Sequence, residues 1–534
     1  MLSSVFKKAI VGAIVLSGFS AGAISAQSTA PTYMEPVAPS VSLTPFLTSG
    51  DVIGSYQIPG IPDGLGVMKD GNRLRILTNQ EWSASNTTAA VRNSTGGQTK
   101  GAFISELTYN IKTGTVTQAK DFMTDVVWYN YVNNTYGKYG SAPVGAAAAD
   151  SFGTVNHGAL LNRFCSSTLA PAGTFYDAKS KLGFEEPVYL TGEEGSDESR
   201  AFVVNMQGQM VQFAGMGLAA WENMKPVPTG NKVTALMGSE DGSATDSQLW
   251  MYVGEKTKAG KWYEKAGFTN GDSYVLSTVA SAAVANDNEI RSKYGKGQSF
   301  KVGFSKVDNK LSGKAQNEMA RSLGIEFARI EDAHFDPKNP NDFYFVTTES
   351  NKDPKATTPN PSTPTITRDG GALWKLSFAD LSKPAKGGTL TMLLDGSEAP
   401  YLNKPDNIVI DDLGNILIQE DPGNNAHVSR VVAYRIKDGK IGVLAKFKDN
   451  LVTEGQAGFI TKDEESSGVI DVTSMMKKGK GDKSSYYMLV AQVHSTPALA
   501  RPDIATGNAS LANAVEGGQW YIMEVPNWAA VYNQ

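Results

Sequence analysis

Residues 329–350, RIEDAHFDPKNPNDFYFVTTES, are answered further along the chain by residues 404–424, KPDNIVIDDLGNILIQEDPGN. Superposed, Glu331 meets Asp406, Asp336 meets Asp411 and Glu349 meets Glu420. Each segment holds an acid, a β-type run, an Asp-containing turn and a second β-type run ending near a carboxylate. Two more strand-like runs follow in each case, ALWKLSF and TLTMLL in the first, RVVAYRI and KIGVLAKF in the second. The chain therefore contains two copies of a four-strand unit, and such a repeat decides the architecture.

The same grammar recurs elsewhere. IPDGLGVMKDGNRLRILTNQEW pairs Asp63 with Glu81, and AAWENMKPVPTGNKVTALMGSED pairs Glu222 with Glu240. RFCSSTLAP with PVYLTGEEG pairs Cys165 with Glu194, and DEESSGVIDV with YYMLVAQVHS pairs Glu465 with His494. The 63/81, 222/240 and 331/349 pairs are equally spaced. The runs are rich in β-branched and aromatic residues and bounded by Gly, Asp, Asn and Pro. Helical periodicity is confined to VANDNEIRSKYG and NEMARSLG. Six four-strand units predict an all-β chain folded as a six-bladed β-propeller around a central channel. A single propeller is expected over 51–534, interrupted by a Pro- and Thr-rich loop at 351–370 and preceded by an extended lead-in at 27–50.

In a propeller, equivalent positions of successive blades form a ring at one end of the channel. Here the ring would contain Asp63, Glu81, Cys165, Glu194, Glu222, Glu240, Glu331, Glu349, Asp406, Glu420 and His494. So many carboxylates repel one another and resist burial unless cations hold them. Carboxylate oxygens suit hard ions, whereas one thiolate and one imidazole favour a transition metal, so the set suits a mixed cluster. Clustered metals activate water and clamp an in-line displacement at phosphorus. Arg329, two residues before Glu331, is placed to fork onto a phosphoryl oxygen. Lys404 is its equivalent before Asp406, and Arg200 is a weaker candidate. Asp336, Asp411 and Asp412 read as turn residues, and His157, His334 and His427 as structural ones.

Composition narrows the classes. With 41% hydrophobic and 19% charged residues the chain is globular. A net charge of −5 leaves no basic surplus for nucleic acid. The lone Cys165 excludes an internal disulfide. Lys7 and Lys8 precede an apolar run at 9–19, and cleavage after Ala23 or Ala26 fits a secretory signal peptide at 1–26. That run is about half the roughly 20 residues of a membrane span. A periplasmic or secreted monomer without membrane insertion is expected. GEEGSDES lacks EF-hand spacing, and beyond the expected signal peptide no Walker-type loop, HExxH or GxSxG nucleophile elbow is evident.

Taken in order, IPDGLG with TNQEW, RFCSSTLAP, LTGEEG, WENMKP, RIEDAHFDP, KPDNIVIDDLG with IQEDPGN, and VAQVH resemble the PhoX-type alkaline phosphatase family. The resemblance runs from about residue 50 to the C-terminus. It implies a six-bladed propeller with ferric iron and calcium at the channel end, hydrolysing small phosphate monoesters. By motif match, Cys165, Glu194, Glu222 and Glu331 would hold iron and Arg329 would bind phosphate. The family's twin-arginine signal is missing here, its tryptophan-rich run after the cysteine is replaced by TLAPAGTFYD, and Gln80 stands where some relatives have His. Manganese or another transition metal therefore stays open. So do a two-metal phosphotriesterase with His494 as ligand, a propeller with structural calcium only, and a one-calcium lactonase-type hydrolase. The expected metal ligands are Glu81, Cys165, Glu194, Glu222, Glu240, Glu331, Asp406 and Glu420, with Arg329 and His494 catalytic.

Overall fold

A computed structural model describes residues 28, 30–83, 92–94, 97–131, 133–138, 160–243, 245–349, 358–359, 367–368, 370–423, 428–504, 511 and 514–533. The expected signal peptide, most of the 351–370 loop, His157 and His427 lie outside the described residues. The β-type runs form short, mainly antiparallel strands, grouped as six blades around one axis. The inner strands are Pro62–Asp70, Phe164–Ala170, Trp221–Pro226, Ile330–Phe335, Pro405–Ile410 and Glu464–Asp471, defining blades 1 to 6. Each inner strand packs beside the next, and that of blade 6 returns to that of blade 1. The second strands are Arg73–Gln80, Val188–Glu193, Val233–Glu240, Asp342–Thr347, Asn415–Glu420 and Ser485–Val493. Every second strand pairs antiparallel with its inner strand.

Blades 3 and 4 are fused at their outer edges. Ser299–Val307, a fifth strand of blade 3, pairs with Gly388–Asp395 of blade 4, so the two read as one nine-stranded sheet. The segment 27–50, expected as a lead-in, supplies outer strands instead. Ser42–Thr48 pairs antiparallel with Gly517–Val525 to complete blade 6, and Met34–Pro36 extends blade 5 along Ile441–Phe447. The N-terminal part of the chain thus covers the edge its C-terminal part leaves open, which removes an exposed row of backbone donors and acceptors.

Because every blade is sandwiched between two others, its central strands are buried on both faces. Asn415–Glu420 and Ser485–Val493 are buried at every position, which is why their middles, Ile416 to Ile418 and Tyr486 to Ala491, do not alternate apolar with polar. The cores lie between blades. Leu77 and Ile104 of blade 1 meet Phe202 and Val204 of blade 2. Trp221 and Trp250 of blade 3 meet Val188 and Leu190 of blade 2. Phe345 and Trp374 of blade 4 face Met237 and Leu249 of blade 3, and Ile408 and Ile416 of blade 5 face Tyr344 and Val346 of blade 4. Tyr487 and Leu489 of blade 6 meet Val409 and Leu417 of blade 5, and Trp520 of blade 6 meets Leu74 and Ile76 of blade 1. Among the described residues, no helix is long and apolar enough to cross a membrane.

Closure by the N-terminal strand makes a direct prediction. Phe46 is fully buried and stacks edge-on against Tyr109 with ring centroids 4.9 Å apart. Phe46→Ala should destabilise the protein by about 3–5 kcal/mol in equilibrium denaturation. Leu413→Ala, at a position 59% exposed, should stay within about 0.5 kcal/mol of wild type.

Candidate metal centre

Six backbone hydrogen bonds fix which residues are equivalent. The first residue after each second strand donates its N–H to a carbonyl just ahead of the inner strand. The pairs are Glu81 to Ile61 (2.9 Å), Glu194 to Arg163 (2.9 Å), Asp241 to Ala220 (2.9 Å), Thr348 to Arg329 (2.9 Å), Asp421 to Lys404 (3.0 Å) and His494 to Asp463 (3.1 Å). Two residues beyond each acceptor stand Asp63, Cys165, Glu222, Glu331, Asp406 and Glu465. In blades 1 to 5 the ladder is bulged at this point, and a bulge re-aims a side chain out of the pleat. Ile61, Arg163, Arg329 and Lys404 adopt positive φ of 53°, 44°, 57° and 48°, so four blades enter the ring through the same sharp turn.

The result is an inner ring of five carboxylates and one thiol, all buried. Ligand-type atoms fall within 4.8 Å of one another in four overlapping groups. These are Asp63, Glu81 and Cys165; Cys165, Glu194 and Glu222; Glu222, Glu331 and Asp406; and Asp406, Asp421 and Glu465. The Cys165 thiol lies 3.1 Å from Asp63 Oδ2. Burial, reinforced by neighbouring carboxylates, pushes Asp63, Glu222, Glu331 and Asp406 well above the usual carboxylate range. Burial likewise raises the Cys165 thiol, with Asp63 adding to it. Burial lifts Glu194 to about 8 despite its arginine partner.

Below the ring the channel is held by amides. Asn79 Nδ2 donates to the carbonyls of Cys165 (2.7 Å) and Ser166 (3.1 Å), fixing the thiol's backbone. Asn223 Nδ2 donates to Ser166 Oγ (2.8 Å) and Asp332 Oδ1 (2.7 Å). Gly64 lets blades 1 and 2 touch, since a Cβ there would lie 2.4 Å from the Ser167 nitrogen. Gln492 Nε2 bridges Asp63 (3.2 Å), Glu81 (3.0 Å) and Glu465 (3.3 Å).

Cationic side chains surround the ring. Arg163 Nη2 is 2.7 Å from both Glu81 and Glu194. Arg329 forks onto Asp241 at 2.8 and 2.7 Å and lies 3.5 Å from Glu331. Lys404 Nζ is 3.3 Å from Glu349. His494 Nδ1 is 2.7 Å from Glu516, and its Nε2 is 4.0 Å from Glu465. Burial opposes its charge, yet hydrogen bonds to Glu465 and Glu516 hold the imidazole well above its usual range.

Of the expected ligands, Glu81, Cys165, Glu194, Glu222, Glu331 and Asp406 converge, with Arg329 and His494 beside them. Glu240 and Glu420 do not. Each is the last residue of its second strand and points into its blade. Glu240 accepts from Trp250 Nε1 (2.8 Å) and the Gln248 N–H (2.9 Å). Glu420 is clasped by Arg430 Nε (2.7 Å) and Nη2 (2.6 Å). Glu193 occupies the same position in blade 2, paired there with Arg200 at 2.6 Å, so Arg200 belongs to the blade interior. The ring side of those strands carries the next residues, Asp241 and Asp421, since a one-residue slip reverses the face in a strand. The SED and QED dipeptide acids held this signal. Glu465, Asp241, Asp421 and Arg163 are site residues that the sequence reading did not select as ligands or cations.

A cleft of about 680 Å³ lies elsewhere. It lies at the far ends of the inner strands, around Pro226, Phe335 and Pro337. His334 lines both that cleft and the channel cavity containing Lys225 and Asp332. Burial lowers the His334 imidazole to about 4, in keeping with a structural residue.

The register assignment is testable. Glu420→Ala, which strands Arg430, should cost about 3 kcal/mol in equilibrium unfolding. Glu35→Ala, which removes a 3.6 Å pair with Lys446 that is 43% exposed on the Glu35 side, should cost less than about 1 kcal/mol.

Comparison with known proteins bears on the fold and the family. No curated protein matches the chain. Among solved structures, Pseudomonas fluorescens PhoX in complex with vanadate, a transition state analogue, aligns over 92% of this chain and 96% of that one. Its TM-score is 0.59 at 11% identity, a likeness of fold. A luciferin-regenerating enzyme (10% identity, 87% and 91% coverage) and a Podospora anserina alpha-L-arabinofuranosidase (10%, 89% and 94%) have TM-scores of 0.30. The family model Alkaline phosphatase PhoX matches residues 203–475, half of the chain and the part that carries Glu222, Arg329, Glu331, Asp406 and Glu465. On that match the chain belongs to the PhoX alkaline phosphatase family.

Proposed function

We propose that the ring is the metal centre of an exported hydrolase acting on small phosphate monoesters. The observation that carries this reading is a surplus of buried acceptors. Asp63 Oδ1 and Glu222 Oε2 are buried and accept no hydrogen bond, and a buried carboxylate oxygen left so costs several kcal/mol. Metal ions in the separate groups that contain Asp63 and Glu222 would satisfy these oxygens, so the donor set fits bound metal. Asp63, Cys165, Glu222, Glu331 and Asp406 would hold the ions from the inner strands, with Glu81, Glu194 and Asp421 from the second strands. The groups that include Cys165 favour iron, manganese or another transition metal, and the all-carboxylate groups favour calcium. When bound, such ions supply charge neutralisation and an activated water.

The chain's own residues supply the rest. Arg329 uses Nε and Nη2 on Asp241 and keeps further N–H donors for phosphoryl oxygens. Asp241 therefore positions the guanidinium rather than meeting the substrate. His494, fixed by Glu516, turns its Nε2 toward Glu465 and orients that carboxylate at the channel mouth. Asn79, anchored on the Cys165 and Ser166 carbonyls and on Thr191, keeps the thiol in place. Export is supported by the Lys7–Lys8 pair and apolar run of the N-terminus, and a single propeller domain that takes in the outer strands Met34–Pro36 and Ser42–Thr48, acting as a monomer, completes the reading.

Purified protein loaded with calcium and iron or manganese should hydrolyse p-nitrophenyl phosphate and stop when chelated. Cys165→Ala and Glu222→Gln should each lower kcat/KM by at least about 100-fold, roughly 3 kcal/mol of transition-state stabilisation, with the circular dichroism spectrum retained. Turnover that survives both the chelator and Cys165→Ala would overturn the metal reading. Turnover of a phosphotriester but not of a monoester would overturn the substrate class.

A further inference from the structure

The acidic residues of the ring are not all satisfied in the same way. The inner layer leaves Asp63 Oδ1 and Glu222 Oε2 without a partner. Between the second strands of blades 1 and 2 the protein supplies its own cation. Arg163 Nη2 lies 2.7 Å from Glu81 Oε1 and 2.7 Å from Glu194 Oε2, and Nε donates to the same Glu194 oxygen at 3.1 Å. The other Glu81 oxygen accepts from Gln492 Nε2 at 3.0 Å.

The backbone holds Arg163 at this seam. Its φ of 44° lies in the left-handed region, which is strained for a non-glycine residue. Its carbonyl accepts the Glu194 N–H at 2.9 Å, so the arginine and one of its carboxylates are locked in one turn. At the equivalent turns of blades 1 and 3 stand Ile61 and Ala220, which carry no charge. A guanidinium keeps its proton at every physiological pH, so this cation is permanent and no chelator removes it.

We propose, building on the metal-centre reading above, that Arg163 stands in for one outer metal ion of the ring. It neutralises Glu81 and Glu194 across the seam between blades 1 and 2. The two carboxylates then serve only the ions they share with Cys165. The centre consequently closes with one ion fewer than its acidic residues would otherwise take.

The test is metal stoichiometry, read by elemental analysis of the full chain after gel filtration from excess calcium and manganese. Arg163→Met, which keeps the bulk and removes the charge, should bind one more ion per chain than wild type. Arg163→Lys should bind the wild-type number. An Arg163→Met protein that binds the same number or fewer would overturn the proposal. Should that variant not fold, wild-type crystals grown with manganese give the answer by anomalous scattering. No peak is expected between the outer oxygens of Glu81 and Glu194, and a peak there would overturn the proposal. Wild-type protein free of metal would instead contradict the metal-centre reading, whereas metal-loaded wild type with an unchanged Arg163→Met count contradicts this inference alone.

Discussion

Everything at the top of the channel follows from the repulsion among carboxylates that six equivalent strands deliver to one place. Asp63, Glu222, Glu331, Asp406 and Glu465 are each the second residue of an inner strand, and Cys165 completes the set. The inner strands pack side by side around the channel, so their equivalent positions bring these side chains together. Like charges at such range cannot all ionise in a dry site. The ring therefore has two physical solutions, protons or cations. The arginines and the orphaned oxygens both favour the second.

The surrounding fold serves that constraint. Inter-blade cores of aromatic and branched residues hold the strands close enough to concentrate charge. Bulges in five blades turn the ring residues inward. The N-terminal strand Ser42–Thr48 closes the circle on Gly517–Val525, so the sixth blade cannot drift outward. Amides of Asn79, Asn223 and Gln492 then set the side chains with neutral donors, adding no charge of their own.

Much of this was legible in the chain. The repeated acid, strand, turn and strand grammar carried the propeller, because each blade is one local unit. Ring positions at the inner strands were legible too, since Glu331 and Asp406 align without a gap. The second-strand positions were harder. In SED and QED two acids stand side by side, and only the ladder register tells which faces the channel. Glu240 and Glu420 turned out to face Trp250 and Arg430, while Asp241 and Asp421 face the ring. Arg163 was hidden because its role depends on Glu81, a residue of another blade. Ser42–Thr48 was hidden for a different reason. Pro45 argues against a strand, yet it sits at a register shift on an outer edge, where proline is tolerated.

The claim that cations hold this ring together is tested most directly by calorimetric unfolding of metal-loaded protein with and without excess chelator. An ion present at 1,000 times its dissociation constant stabilises the native state by about 4 kcal/mol. The account predicts that chelation lowers Tm by several degrees or more, and that adding metal back restores it. An unfolding curve identical in chelator and in metal would contradict the account, because the ring would then be closed by protons alone.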